Sequence, residues 1–165
     1  MAVTFDAVGP SAAGTSATNV ASITWTHTVA AGPCAVVVGV GCSTDGSTLT
    51  ATCGGVSMAA FTAKVHNNNQ TGGFTQLFGL ANVSTGAKTI VVSGGGGTDF
   101  EGGSLSFAGA DTVTPFGTPV TSFGATAAPT GTVAGTAATS MVAGVMSNGA
   151  AITGITTGTS RFQIN

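Results

Sequence analysis

Charged side chains are scarce in this chain. Only 5% of its 165 residues are Asp, Glu, Lys or Arg, and three cationic against five acidic side chains give a formal net charge of −2. An ordinary soluble domain carries roughly 25% charged residues. Nucleic-acid binding requires a basic patch, which three cations do not supply. We therefore expect no nucleic-acid partner.

A surface with so few charges has to draw its polarity from Thr, Ser, Asn and the backbone, and it is weakly protected against association. We therefore expect a packed assembly in which neighbouring subunits, including further copies of this chain, cover part of the surface. The alternative is a protein from a host whose proteins are generally low in charge.

Long apolar runs and targeting signals are also missing. The longest apolar run, near Ala35–Val40, is far shorter than the ~20 residues that a membrane-spanning helix needs. The opening sequence MAVTFDAVGP has neither the basic region nor the apolar core of a secretory signal. We expect no membrane partner, and synthesis and assembly in a cytoplasm, with export by another route as the alternative.

Cysteine is limited to Cys34, Cys42 and Cys53. Their spacing matches no zinc-binding pattern, and three cysteines leave at least one unpaired. Cys42 and Cys53 flank a predicted hairpin, so a bridge between them is the alternative. In a reducing compartment we expect buried thiols instead.

The most informative stretch is Ala21–Cys53, which predicts three strands joined by turns. In the first strand Ile23, Trp25, His27 and Val29 alternate with threonines, which places the large side chains on one face of a sheet. The single tryptophan is the largest side chain that this fold can bury. We therefore expect Trp25 at the centre of the core.

The second strand begins at Cys34 and is continuously apolar and rich in β-branched residues through Val40. Such a run is typical of a central strand that is covered on both faces. Ala-Ala-Gly-Pro at 30–33 and Asp-Gly at 45–46 are the turn signals on either side of it.

The rest of the chain continues as strands and turns, and no window shows a helical period. Further strands are predicted at Val3–Val8, Phe61–Val65, Phe74–Leu80, Lys88–Ser93 and Phe100–Phe107, with loops at 11–19, 67–73 and 94–97. Strands at this spacing predict an all-β fold, an antiparallel β-sandwich of jelly-roll-like form. Residues 1–165 are expected to form one domain.

The pattern weakens from Val120 onward. Short strands are predicted at 120–123, 131–134, 140–146 and 161–164, of which 140–146 is the clearest and is expected to be buried. We expect the region 120–165 to be the least self-sufficient part of the domain and a region of contact with neighbours.

Catalytic motifs are not recognisable. His27 and His66 are the only histidines, the first expected to be packed and hydrogen-bonded and the second solvated. No G-x-S-x-G elbow is present. The glycines at 94–97 lack the Gly-Lys-Ser/Thr sequence of a phosphate-binding loop, because Thr98 and Asp99 follow them.

The five carboxylates are Asp6, Asp45, Asp99, Glu101 and Asp111. Asp99 and Glu101 are two residues apart and share a strand face, so Ca²⁺ binding with loop carbonyls is one interpretation and a solvated strand entry is the other. Asp111 is expected to support a turn. We expect no catalytic, cofactor-binding or metal-ligating residue, and no enzymatic activity.

The order of the motifs resembles β-sandwich domains of tailed-bacteriophage structural proteins, over about two thirds of the chain. The segments that carry the resemblance are Trp25–His27, Ala35–Gly41, Gly54–Met58, Leu77–Asn82, Ser84–Val92 and Ser104–Pro115. The resemblance implies a non-enzymatic virion protein, a capsid decoration or cement subunit whose main partner is the major capsid protein. A tail-associated module that contacts host-surface glycans is the alternative.

Overall fold

A computed structural model describes residues 2–43, 48–61, 64–65, 73–122, 132–133, 137–146 and 161 of the chain. This part of the chain contains strands, turns and irregular segments and no helix. The strands are β1 (Thr4–Gly9), β2 (Thr15–Val29), β3 (Cys34–Cys42), β4 (Thr50–Cys53), β5 (Val56–Ser57), β6 (Ala59–Ala60), β7 (Lys64–Val65), β8 (Phe74–Val83) and β9 (Gly86–Ala108). The predicted all-β class is confirmed.

These strands form one antiparallel sheet that is nearly closed into a barrel. Its centre is β9, which pairs with β2 and β1 in succession along one edge and with β4 and β3 along the other. β8 pairs with the free edge of β3, and β6 and β7 pair with β8. The long strand β9 therefore pairs directly with four of the other strands, β1, β2, β3 and β4.

The core lies on the face of the sheet where alternate residues of β2, β3, β8 and β9 meet. The strict alternation in β2 holds as the sequence predicts, because Ile23, Trp25, His27 and Val29 are all buried. Trp25 is only 5% exposed and belongs to the main apolar cluster. Its predicted role as a core residue is confirmed.

The opposite, outer face of β3 is also covered, as its continuous apolar sequence predicts. Ala35 and Val37 are buried there, and the side chain of Val145 lies directly over Gly39. The covering residues come from the described residues between 110 and 146, which we call the C-terminal cover (110–122, 132–133 and 137–146). Its backbone is tied to the N-terminus by a hydrogen bond of 3.0 Å from Val3 N–H to the Thr139 carbonyl.

A pair of aromatic rings fixes the cover against β8. A Cβ atom at Gly79 would lie 2.7 Å from the rings of both Phe61 and Phe116. The two rings pack edge to face, with their centroids 5.2 Å apart. Only glycine leaves room for both rings at this position of β8, so the cover and the sheet fit closely here.

Residues 94–97 do not form the predicted loop, because they lie within β9. The pairing with β2 jumps here, from Ser93 opposite Ser22 to Thr98 opposite Val20. Gly94 has a φ of 113°, and a Cβ atom there would lie 2.5 Å from the Thr48 carbonyl oxygen. Glycine is therefore required because β9 changes register where another backbone approaches, which composition alone does not reveal.

Two further predictions are wrong. β2 already begins at Thr15, where the sequence predicted a loop over 11–19, because β9 is long enough to pair with this polar stretch as well. Residues 140–146 were predicted to be a buried strand, but they have no strand partner and are mostly exposed. The described residues of the other C-terminal strand predictions, 120–122, 132–133 and 161, are not in strands either.

Some predictions fall outside the described residues. They concern His66, Asp45 with the turn at 45–46, and the greater part of the loop at 67–73.

Trp25→Ala should lower the free energy of unfolding by about 3–5 kcal/mol, because it removes a large buried aromatic group and leaves a cavity. Chemical denaturation measures the loss. Val113→Ala is the control, since Val113 is 81% exposed, and its effect should stay within about 0.5 kcal/mol. A loss below about 1 kcal/mol for Trp25→Ala would contradict the placement of the tryptophan in the core.

Candidate functional site

A buried polar cluster links β1, β2 and β9. The Trp25 indole Nε1–H donates to Ser104 Oγ at 2.9 Å, and Ser104 Oγ lies 2.9 Å from His27 Nδ1 and 3.3 Å from the carbonyl oxygen of Gly9. His27 and Ser104 are both completely buried. A Cβ atom at Gly9 would lie 2.7 Å from His27 Nδ1, so glycine at the end of β1 makes room for the imidazole.

One assignment of hydrogens satisfies every contact of Ser104. If His27 carries its proton on Nδ1, Ser104 Oγ accepts from both Nδ1–H and the indole N–H, and its own hydroxyl donates to Gly9. His27 Nε2 is then a lone-pair acceptor, and it is buried without a hydrogen-bond partner among the described residues. The cluster therefore accommodates a neutral imidazole.

Burial lowers the pKa of His27 from its ordinary value, and the negative charge of Asp6 opposes this only in part. A serine hydroxyl beside an imidazole is also the arrangement used in nucleophilic catalysis. Here both groups are sealed inside the protein, so no substrate reaches Ser104 in this conformation. The structure thus places His27 in a packed, hydrogen-bonded position, as the sequence predicts.

Asp6 forms a second polar cluster, which the sequence did not predict. The register of β1 against β9 shifts between Phe5 and Ala7, and a bulge of this kind redirects a side chain. The Asp6 carboxylate accepts hydrogen bonds from Ser106 Oγ at 2.7 Å and from the Ala30 and Ala31 backbone N–H groups at 3.1 and 2.8 Å. Asp6 therefore fastens the turn after β2 to β1 and β9.

Burial on its own would raise the pKa of Asp6. The hydrogen bonds from Ser106, Ala30, Ala31 and Cys34 outweigh it, and the pKa lies below its ordinary value. The carboxylate is thus held in its charged form as a structural hydrogen-bond acceptor.

Asp99 and Asp111 also support the backbone. Asp99 Oδ1 accepts a hydrogen bond of 2.9 Å from Asn19 N–H, at the point where the register of β2 shifts and Asn19 has a φ of 52°. Asp111 Oδ1 accepts from the Val113 and Thr114 N–H groups at 2.8 and 2.7 Å, which confirms its predicted turn. The Asp111 pKa is lowered by these hydrogen bonds, that from Thr114 first.

Asp99 and Glu101 are both exposed on β9. No cluster of three or more His, Cys, Asp or Glu side chains with the arrangement of a metal site is found among the residues that the structure describes. The described residues likewise contain no helix long and apolar enough to cross a membrane.

The three cysteines are buried thiols and form no disulfide, so the alternative bridge between Cys42 and Cys53 is excluded. Burial raises the pKa of Cys34 to about 11, with the charge of Asp6 and a hydrogen bond to it acting in the same direction. Burial also raises the pKa of Cys53, although Lys88 opposes the shift. High pKa values and burial make both thiols poor nucleophiles.

The C-terminal cover combines a partly open cavity with exposed apolar side chains. A partly open cavity of about 570 Å³ lies between it and the outer face of the sheet, with walls that include Val37, Leu77, Phe107, Phe116 and Val142. The described part of the chain exposes seven large apolar side chains. Val56 belongs to β5, and the other six belong to the cover: Val113, Val120, Val133, Met141, Val142 and Met146. The cover is therefore the candidate functional site.

Ser104→Ala should lower the free energy of unfolding by about 1–3 kcal/mol, because the buried indole N–H and the imidazole Nδ1–H both lose their acceptor. Chemical denaturation followed by tryptophan fluorescence measures the effect. Ser22→Ala on β2, the strand of Trp25 and His27, is the control, since Ser22 is exposed, and should be nearly neutral. Equal effects of the two changes would refute the hydrogen-bonded cluster.

Acidification should destabilise the fold through His27. Its folded pKa lies below the ordinary value of 6.5, so the unfolded chain binds the proton more readily. The contribution of neutral His27 to the free energy of unfolding is complete above pH 6.5, and it is lost as the pH falls below that value. The Asp6 carboxylate affects the pH dependence of stability only near and below pH 3.8, the ordinary value of its pKa.

The measurement is the free energy of unfolding between about pH 7.5 and about pH 5. The decrease on acidification should be present in the parent chain and in His66→Gln, and it should disappear in His27→Gln. A decrease that persists in His27→Gln and disappears in His66→Gln would show that His66 causes the effect, and it would contradict the prediction.

Thiol titration under non-reducing conditions should detect Cys34, Cys42 and Cys53 in the denatured chain, because none is in a disulfide. The native chain should react slowly, since all three side chains are buried. Rapid reaction of the native protein at all three positions would contradict their burial.

Comparisons of the chain with protein-family models, with curated proteins and with solved structures found no match. The resemblance to bacteriophage structural domains therefore stays a prediction from the sequence.

Proposed function

We propose that this chain is a non-enzymatic structural protein of a virion, a capsid decoration or cement subunit of a tailed phage. Its partners are the major capsid protein and further copies of itself, and its place is on the particle. The resemblance in motif order supports the phage assignment. His27, Ser104 and Asp6 are the polar groups that could take part in catalysis. They support the structural assignment, because their hydrogen bonds stabilise the fold.

The observation that carries the proposal is the apolar character of the C-terminal cover, in which Asp111 is the one charged residue. Six exposed large apolar side chains are concentrated there. Single apolar side chains are common on protein surfaces, but a concentration of them indicates a site of contact with another molecule. Residues 112–160 contain no ionisable side chain. A decoration subunit requires a rigid fold and an adhesive face, and an exposed apolar face on a closed sheet meets both requirements.

Attachment through this face should resist salt. Apolar burial is not screened by ions, whereas contacts between exposed charges are. The cations of the whole chain are Lys64, Lys88 and Arg161, so ion pairs contribute little to any contact. The subunit should therefore remain on its particle at ~1 M salt.

The experiment is to count copies of the chain in purified virions by quantitative mass spectrometry, before and after a wash with about 1 M salt. Hundreds of copies that survive the wash are expected for a decoration subunit. A few copies per particle would favour the tail-associated adhesion module instead. Absence from the virion, or complete loss in the salt wash, would refute the proposal.

A further inference from the structure

The cavity of about 570 Å³ under the C-terminal cover has a floor built from the outer face of the sheet. Ala35 of β3 lies directly opposite Phe107 of β9, and Gly39 of β3 lies directly opposite Leu77 of β8. Residues that are directly opposite share a face of the sheet, and so do alternate residues of one strand. The floor is therefore a continuous surface to which three paired strands contribute apolar side chains.

Two contacts within the chain hold the cover above this floor. The rings of Phe61 and Phe116, which both line the cavity, pack edge to face with their centroids 5.2 Å apart. Val3, another lining residue, donates its backbone N–H to the Thr139 carbonyl at 3.0 Å. The cavity is thus enclosed between a sheet and a cover that are tied together, and its shape is formed by the chain itself, as in most small-molecule sites.

The walls of the cavity leave apolar surface accessible. Four of the six exposed large apolar side chains of the cover also line the cavity: Val120, Val133, Met141 and Val142. Val142 is the most exposed of these four, at 59%. Contact between apolar surface and water is unfavourable, so an apolar occupant that removes these side chains from water is favoured.

Volume and wall chemistry define the class of ligand. Small-molecule sites usually have volumes of about 300–1,000 Å³ and apolar walls with a few polar groups, and this cavity has both features. The polar side chains among its described walls are all hydroxyls: Thr75, Thr118, Thr121, Ser122 and Ser140. A hydroxyl can bond to a carbonyl, ether or hydroxyl group of a ligand, but it supplies no charge.

Charged ligands are disfavoured by the same walls. No ionisable side chain is found among the described residues that line the cavity. Arg161 lies over the ring of Phe5, 3.8 Å from its centroid, and Lys88 donates to Ser84 Oγ, so both cations are engaged elsewhere. A carboxylate or ammonium group in the cavity would lose hydration without gaining a charged partner.

We propose that this cavity binds one small, uncharged and largely apolar molecule, seated on Leu77 and Phe107 and covered by Phe116 and Val142. The apolar body of the ligand replaces water along the walls, and its polar groups bond to the wall hydroxyls. The proposal goes beyond the structural function proposed above, since attachment to a particle requires no bound small molecule.

The probe for the test is N-phenylnaphthylamine, a neutral dye whose fluorescence rises when it leaves water. Titration of the full chain should show one bound dye per chain, and the dye should raise the melting temperature, because it binds the folded chain. Anilinonaphthalene sulfonate is the matched anionic dye, since it adds a sulfonate to the same ring system. It should bind at least about tenfold more weakly, because the cavity offers no charged partner.

Two variants change the cavity in different ways. Thr75→Phe fills it from the floor, because Thr75 shares the outer face of β8 with Leu77. Val142→Asp places a charge in the wall that the cover forms. Each should lower the affinity for the neutral dye at least about tenfold. Thr26→Phe and Val56→Asp are the matched controls and should bind the dye like the parent, since both residues are exposed and neither lines the cavity.

Thermal melts without dye identify the variants that fold, and either folded cavity variant decides the outcome, while the comparison of the two dyes requires neither. The proposal would be overturned by a parent chain that binds no neutral dye, or by a folded cavity variant that binds it like the parent. Anionic dye that binds as tightly as the neutral dye would also contradict it, as would a control variant that loses binding to the same extent. These measurements use the free chain and are independent of the copy number in virions, so failure of the cavity site and failure of the proposed function are distinguishable.

Discussion

The structure depends on the pairing of β9 along both of its edges. Gly86–Ala108 is long enough to pair with β2 and then β1 on one side, and with β4 and β3 on the other. Each of these pairings fixes which face of the partner strand is turned inward, since a shift of one residue would exchange the two faces. Burial of Trp25 against Ile90, and of Ile23 against Val92, follows from that register. Near Gly94 the partner of β9 on one edge changes from β4 to β3, while β2 stays paired on the other edge through a change of register.

The inner and outer faces of the sheet are chemically different. Inside, Ser104 joins Trp25 and His27, while the half-buried Asp6 joins β1 to the turn after β2. Such clusters cost free energy if they are left incomplete, so they specify one arrangement of the core. Outside, the C-terminal cover exposes six large apolar side chains, and Asp111 is its one charged residue.

Much of the fold could be predicted from the sequence, because period-two patterns report directly on sheet faces. The alternation around Trp25 and the continuous apolar run of β3 both predicted the observed burial. The glycines at 94–97 were mistaken for a loop because composition does not show that Thr48 approaches this part of β9. Residues 140–146 have the composition of a buried strand but no strand partner, so they lie over the outer face instead. The role of Asp6 depends on a bulge between two strands distant in sequence, and no local motif signals it.

Amide hydrogen exchange tests the central claim most directly, namely that β9 is the element on which the sheet depends. The account predicts that the amides of β9 that are paired on both sides, at Ile90–Ser93, Phe100–Gly102 and Ser104–Phe107, exchange only through global unfolding. The Trp25 indole N–H should belong to the same slowest class, because it is buried and bonded to Ser104. Exchange of the β9 amides at a lower free energy than those of β8 would show that the sheet opens at its centre, and would contradict the account.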